Sequence, residues 1–278
     1  MPTRTEAGVG GTIYEMSRGW GEPPPGLAFG AISDVAVDSK DRVYVFHRGN
    51  PPVFVFSEDG TFLHSWGQDL IVDAHGIFIT PDDHVFVVDR DGHRVHKCTS
   101  DGRVILTLGT GRPMWGAPFS HPTDAAVSPR GEIYVADGYG NNHVHRFSPD
   151  GRHLLSWGSA GRGPGEFSVP HGIWADGEDR IYVVDRDNHR LQVCTGEGRF
   201  LTEWTGFYRP TDVYMDGQGV IYVSELSTRI HMLDREGKVR ARGRSDNQGH
   251  GLWGDSKGNL YIASTRSPRI EKHTRKPG

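Results

Sequence analysis

Six similar strand patterns recur along the chain at intervals of 39 to 48 residues, and this repeat constrains the fold more than any other feature. Each pattern is an apolar–aromatic–apolar core that follows a polar turn. The cores are Val43–Val45, Val85–Val87, Ile133–Val135, Ile181–Val183, Ile221–Val223 and Leu260–Ile262. A period near 40–50 residues with room for four strands per unit is typical of a β-propeller. The sequence therefore predicts an all-β fold, a six-bladed β-propeller.

The sixth unit is one strand short, because the chain runs out soon after Ile270. The segment Thr12–Gly21 has the alternation of a strand and the Trp-Gly ending of two other blades. We expect this N-terminal strand to complete the last blade, which leaves no long exposed sheet edge. Residues 1–278 are thus predicted to form a single propeller domain.

Composition narrows the function classes. A formal charge of −4 argues against nucleic acid as a partner. No stretch reaches the roughly 18 apolar residues of a membrane span, and Met1–Gly11 lacks the apolar core of a signal peptide. A cytoplasmic protein with no membrane partner is expected. Cys98 and Cys194 do not suggest a disulfide framework.

Histidines alternate around the predicted ring. Ten residues before the strand core, the second, fourth and sixth blades carry His75, His171 and His250, each followed directly by glycine. The other three blades carry Ser-Asp or Thr-Asp there. A single histidine at a strand start is usually structural. Three imidazoles about 120° apart would instead form a three-histidine zinc site with an open coordination position. Six other histidines are expected to be solvated: His84, His93, His143, His189, His231 and His273.

Three stretches of sequence carry a family resemblance. They are Val35–Asp38 leading to Phe46–Gly49, Pro122–Asp124 leading to Asp137–Tyr139, and Gly165–His171. Together they resemble the peptidyl-α-hydroxyglycine α-amidating lyase (peptidylamidoglycolate lyase) family, whose members are NHL-type six-bladed β-propellers. That family splits an N-acyl-α-hydroxyglycine into an amide and glyoxylate.

The resemblance implies roles for particular residues. His75, His171 and His250 match the zinc ligands, and Tyr139 matches a tyrosine proposed as the base on the substrate hydroxyl. Arg48 and Arg186 match arginines near the site, where a guanidinium can hold a carboxylate. Arg90 and Arg186 both lie in Val-Asp-Arg-Asp, so a salt bridge with the neighbouring acid is an alternative for each.

The chain also departs from the family. Gly249 and Gly251 flank His250 where the family has Met and Asp. That Asp contributes to a structural Ca²⁺ in the family, with backbone carbonyls that match Val35 and Ile77. A calcium site here would need other acids, and three are available at the blade positions without histidine: Asp34, Asp124 and Asp212. The expected substrate is a small metabolite with a carbinolamide or hydroxy-acid group.

Two other functions stay open on the sequence alone. One is a metal-dependent hydrolase on a small metabolite, similar to gluconolactonases, which use carboxylate and Asn ligands rather than imidazole. The other is a non-catalytic NHL propeller that binds a protein partner. The oligomeric state is open.

Overall fold

A computed structural model describes residues 6–7 and 14–276. Thr12, Ile13 and most of Met1–Gly11 therefore lie outside the described residues, including the segment used to predict location. The described chain forms six antiparallel sheets, which confirms the six-bladed β-propeller. No helix long and apolar enough to cross a membrane occurs in the described ranges.

Five of the six sheets contain four strands that follow one another along the chain. The first contains β3 (Ile32–Val37), β4 (Val43–His47), β5 (Val53–Phe56) and β6 (Phe62–Trp66). The second contains β7 (Ala74–Ile79), β8 (Val85–Asp89), β9 (Arg94–Cys98) and β10 (Val104–Leu108). The third contains β11 (Asp124–Val127), β12 (Ile133–Asp137), β13 (His143–Phe147) and β14 (His153–Trp157). The fourth contains β15 (Pro170–Ala175), β16 (Arg180–Asp185), β17 (Arg190–Thr195) and β18 (Phe200–Trp204). The fifth contains β19 (Pro210–Met215), β20 (Ile221–Glu225), β21 (Arg229–Leu233) and β22 (Val239–Arg244).

The last sheet joins the two ends of the chain. Its five strands are β1 (Glu6–Ala7), β2 (Tyr14–Trp20), β23 (Gly251–Gly254), β24 (Leu260–Ala263) and β25 (Ile270–Arg275). The spatial order is β1-β2-β25-β24-β23, and Tyr14 of β2 pairs with Arg275 of β25. Trp20 then packs on Tyr261 with ring centroids 5.0 Å apart. The predicted closure by an N-terminal strand is confirmed.

Contacts divide the chain into two compact units. The first unit comprises residues 1–70 and 214–278, and the second comprises residues 71–213. Within each sheet the second strand is buried, apart from Arg180 at the start of β16, whereas the fourth strand is partly exposed. This gradient explains why the second-strand cores are the most regular part of the repeat, since side chains on both faces of that strand must be apolar.

In the second unit, an acid at the end of each second strand fixes the loop that enters the same blade. Asp89 accepts a hydrogen bond from the backbone N–H of Val72 (3.0 Å). Asp137 accepts one from Ser120 (2.8 Å), and Asp185 accepts one from Ser168 (2.7 Å). Because these loops lead into the first strands, the acids position the strand starts that carry the candidate site.

The prediction of solvated histidines is wrong for three of the six: His93, His231 and His273 are buried. His231 Nε2 lies 3.2 Å from a carboxylate oxygen of Glu225, and His273 Nε2 lies 3.4 Å from Glu271. His93 packs against the ring of His121 at 4.4 Å between centroids. A neighbouring acid, or for His93 the backbone N–H of His121 that donates to Nδ1 (3.2 Å), replaces the water that these imidazoles would otherwise bind.

Candidate metal centre

In the second unit, His75 and His171 are each the second residue of the first strand of a blade, and both are buried. His75 Nδ1 lies 2.6 Å from the carbonyl oxygen of Thr123, and His171 Nδ1 lies 2.7 Å from that of Thr211. A carbonyl oxygen can only accept, so each Nδ1 carries the ring proton. Each Nε2 is therefore left with a lone pair, which is the tautomer of a metal ligand whose other nitrogen is held by the protein.

His250, in the first unit, repeats the same arrangement. It directly precedes β23, and its Nδ1 lies 2.6 Å from the carbonyl oxygen of Ser33. The Ser and Thr residues that occupy the histidine positions of the odd blades thus orient the three imidazoles through their carbonyl groups. Sequence reasoning missed this role, because a backbone carbonyl leaves no signal in residue type.

The ligand atoms of His75, His171 and His250 all lie within 4.8 Å of one another. Three neutral imidazoles with one further position open make the donor set that catalytic zinc sites use. These three histidines lie close enough together to hold a metal ion, and the residues present fit zinc; their role as zinc ligands stays a prediction. The identity of the metal stays a prediction.

Tyr139 lies directly against two of these ligands. Its hydroxyl oxygen is 3.2 Å from His75 Nε2 and 3.1 Å from His171 Nε2. The phenol has one proton, so it can satisfy only one of two Nε2 lone pairs. A cation at the histidines would satisfy both, which is a further reason why this donor set suits a metal. The Tyr139 side chain is 38% exposed, so the site opens to solvent on the tyrosine side.

Two arginines surround the Tyr139 ring. Arg186 Nη1 donates to the Tyr139 hydroxyl oxygen (3.0 Å), and its guanidinium carbon lies 5.3 Å from the ring centroid. The guanidinium carbon of Arg90 lies 5.6 Å from the same centroid. Each Arg Nε also binds the next residue, Asp187 (3.0 Å) or Asp91 (2.8 Å). Both arginines therefore form the salt bridge given as the alternative and also lie close to the site. The contact between Arg90 and Tyr139 was not predicted from the sequence.

These ion pairs change proton affinities in the expected directions. The hydrogen bond with Asp91 raises the pKa of Arg90 and lowers the pKa of Asp91. Burial opposes the shift at Asp187, but hydrogen bonds from Arg186 and Arg209 lower its pKa overall. Arg90 is accordingly held as a cation beside Tyr139.

Arg48 belongs to the first unit. It follows β4 with an exposed side chain, and its backbone N–H donates to the carbonyl oxygen of Ala31 (2.9 Å). Its expected role near the substrate carboxylate stays a prediction.

The glycines after the histidines leave room for acids from the next blade. In the second unit, a Cβ on Gly76 would lie 2.5 Å from Asp124 Oδ1. In the first unit, a Cβ on Gly251 would collide with the Asp34 carboxylate. A side chain at position 251 would therefore meet the Asp34 carboxylate. Burial, reinforced by the charge of Asp212, raises the pKa of Asp124 well above its usual range. Calcium binding by these acids stays a prediction.

Comparison with known proteins agrees with this architecture. The NHL repeat family model matches residues 119–147 and 167–194. NHL repeat-containing protein 3 of Mus musculus is 37% identical over 244 residues, which are 80% of this chain and 70% of the relative. The chain belongs to the NHL repeat-containing protein 3 family. Its human counterpart is 35% identical over 213 residues, and the aligned part spans 70% of this chain and 61% of the human protein.

The chain also matches amidating lyases. Peptidyl-alpha-hydroxyglycine alpha-amidating lyase 1 of Drosophila melanogaster is 28% identical over 240 residues, which are 72% of this chain and 44% of that protein. The resemblance drawn from the sequence is confirmed by this match.

Solved structures share the fold at low identity. A streptogramin B lyase has a TM-score of 0.65 at 15% identity and covers 99% of this chain and 95% of its own. A gluconolactonase from Xanthomonas campestris has a TM-score of 0.66 at 15% identity, with 95% and 90% covered. A lyase and a lactonase share this fold, so the fold does not select a reaction and the site must.

Proposed function

We propose that this chain is a zinc-dependent carbon–nitrogen lyase that cleaves a small N-substituted α-hydroxyglycine to an amide and glyoxylate. One observation carries the proposal: the Tyr139 hydroxyl lies within hydrogen-bond distance of the Nε2 atoms of His75 and His171 and accepts a hydrogen bond from Arg186. The similarity to amidating lyases supports the same reaction.

His75, His171 and His250 would hold the zinc ion through Nε2. When bound there, zinc supplies a Lewis acid that polarises oxygen atoms of the substrate. The carbonyl groups of Thr123, Thr211 and Ser33 keep each imidazole in the tautomer that binding needs.

Tyr139 is the group in position to take the proton of the substrate hydroxyl, which its oxygen can do once a cation bound by the histidines has displaced the phenol proton to solvent. As that proton leaves, the O–H electron pair forms the C=O bond of glyoxylate and the C–N bond breaks. The C–N electron pair stays on nitrogen, which takes up the proton and becomes the amide. Arg186 holds the phenol oxygen in place by donating to it. The reaction consumes no water, which distinguishes this lyase from a hydrolase.

Metal analysis tests the proposal first. We expect about one zinc per chain by plasma mass spectrometry, with loss of the metal in His75→Ala, His171→Ala and His250→Ala. His153→Ala is the matched control, because His153 is exposed at the start of β14. Wild-type protein that takes up no zinc, or variants that keep it, would overturn the zinc site.

Product analysis tests the reaction. The zinc-loaded protein is incubated with N-acetyl-α-hydroxyglycine, and glyoxylate and acetamide are quantified. We expect equal amounts of both products. Zinc binding without glyoxylate release, combined with turnover of a lactone, would favour the hydrolase alternative instead. Zinc-free protein that retains a protein partner would favour the non-catalytic alternative.

A further inference from the structure

The motif Val-Asp-Arg-Asp occurs twice in the second unit, at residues 88–91 and 184–187. Each copy lies at the end of a second strand, β8 or β16. These two blades flank the blade that carries Tyr139. In both copies the arginine Nε binds the following Asp, at 2.8 Å for Arg90 and 3.0 Å for Arg186. The repeat therefore presents two equivalent guanidinium groups, one on each side of Tyr139.

The two guanidinium groups are used differently. Arg186 donates through Nη1 to the Tyr139 hydroxyl oxygen, so it is committed to the tyrosine. Arg90 donates to the two carboxylate oxygens of Asp91 through Nε (2.8 Å) and Nη2 (3.2 Å), and its Nε lies 3.0 Å from Asp73 Oδ2. It contacts Tyr139 by its position over the ring.

This geometry leaves Arg90 suited to a second carboxylate. A guanidinium offers five N–H donors on two edges, and each edge can bind a carboxylate in bidentate fashion. Asp91 engages the Nε–Nη2 edge of Arg90. The Arg90 side chain is 26% exposed, whereas that of Arg186 is 13% exposed. Arg90 is thus the more accessible of the two cations, and Asp73 and Asp91 hold it in one position.

We propose that Arg90 is a specificity-determining residue that binds the carboxylate of the substrate, while Arg186 positions Tyr139. This inference rests on the proposed function and deepens it. It implies that the substrate class requires a carboxylate on the carbinol carbon, and that a neutral carbinolamide binds poorly.

Calorimetric binding to the zinc-loaded protein tests Arg90 apart from turnover. The probes are N-acetylglycine, which has the carboxylate, and N-acetylglycinamide, which lacks the charge. Arg90→Gln is expected to weaken binding of the acid about 10- to 100-fold, the loss typical of a charge-assisted bidentate pair. Binding of the amide should change by about 2-fold at most. Arg90→Lys keeps the charge but not the planar fork, and should fall between.

Arg94→Gln is the matched control, because Arg94 is an exposed arginine on the same blade. It removes the same charge and should leave both affinities near wild type. An equal loss for acid and amide in Arg90→Gln, a loss no greater than in Arg94→Gln, or no binding of N-acetylglycine by wild type would overturn the role of Arg90. Selective binding of the acid through Arg90 without glyoxylate release would overturn the proposed reaction and leave the carboxylate site standing.

Discussion

Replacing Gly76 by alanine should disturb the metal centre without touching a ligand. A Cβ at this position would lie 2.5 Å from Asp124 Oδ1, 2.7 Å from the Thr123 carbonyl oxygen and 2.9 Å from Asp124 Cα. Carbon and oxygen atoms normally meet no closer than about 3.3 Å. Two of the three clashing atoms belong to the backbone, so a side-chain rotation cannot relieve the contact. The two neighbouring strands must separate by roughly 0.5–1 Å to give this clearance.

That separation should have two measurable costs. Overpacking of a tight interior site typically lowers the free energy of unfolding by about 1–3 kcal/mol. The Thr123 carbonyl is also the partner of His75 Nδ1 at 2.6 Å, so the group that fixes the imidazole is the one displaced. Loss of such an outer partner typically weakens metal affinity about 10- to 100-fold.

Urea unfolding in EDTA measures the first cost, and zinc competition against a fluorescent chelator measures the second. Gly177→Ala is the matched control, because a Cβ on Gly177 has no atom within 4 Å. If Gly76→Ala matched Gly177→Ala in both stability and zinc affinity, the geometric argument for the glycine after each histidine would be refuted.

Three further predictions concern other parts of the chain. Tyr139→Phe should keep zinc but lower the rate of glyoxylate release about 10²- to 10⁴-fold, the contribution typical of a positioned acid–base group. Burial lowers the pKa of His47 from 6.5 to about 4, so the free energy of unfolding should fall by about 3 kcal/mol as the pH drops from 6.5 through 4. Urea unfolding at pH 7 and pH 4 should show a smaller difference for His47→Gln than for wild type. Asn141→Ala removes hydrogen bonds to the carbonyl oxygens of Met114 and Ala117 and should lower the free energy of unfolding by about 1–3 kcal/mol. Proteolysis of the loop that contains Met114 and Ala117 should be faster, and unchanged cleavage would contradict this.

The fold could be predicted because its signal is local and repeated. Each second strand must be apolar on both faces, so six cores recur and mark six sheets. The convergence of His75, His171 and His250 followed from the same repeat, since equivalent blade positions face the same axis. Nothing beyond the register of the repeat was needed for that step.

The rest of the site depends on contacts between blades that residue type does not encode. Every residue has a backbone carbonyl, so the one at Thr123 that binds His75 leaves no mark in the sequence. Arg90 approaches Tyr139 from a different blade. The buried histidines had a signal that could have been used. His231 lies opposite Val223 in the register of β20 and β21, and an acid ends the same second strand at Glu225. A third-strand histidine beside such an acid is expected to be buried.

The pairing of β2 with β25 also orders events during synthesis. Tyr14, Met16 and Trp20 of β2 are synthesised long before β25, the strand that pairs with β2. A contact that spans almost the whole chain forms slowly, because the loop entropy must be overcome before the contact can stabilise anything. The nascent chain therefore carries the partly apolar strand β2 without its partner β25 until residues 270–275 have been made. We expect chaperone dependence and aggregation of shortened chains to concentrate at this step.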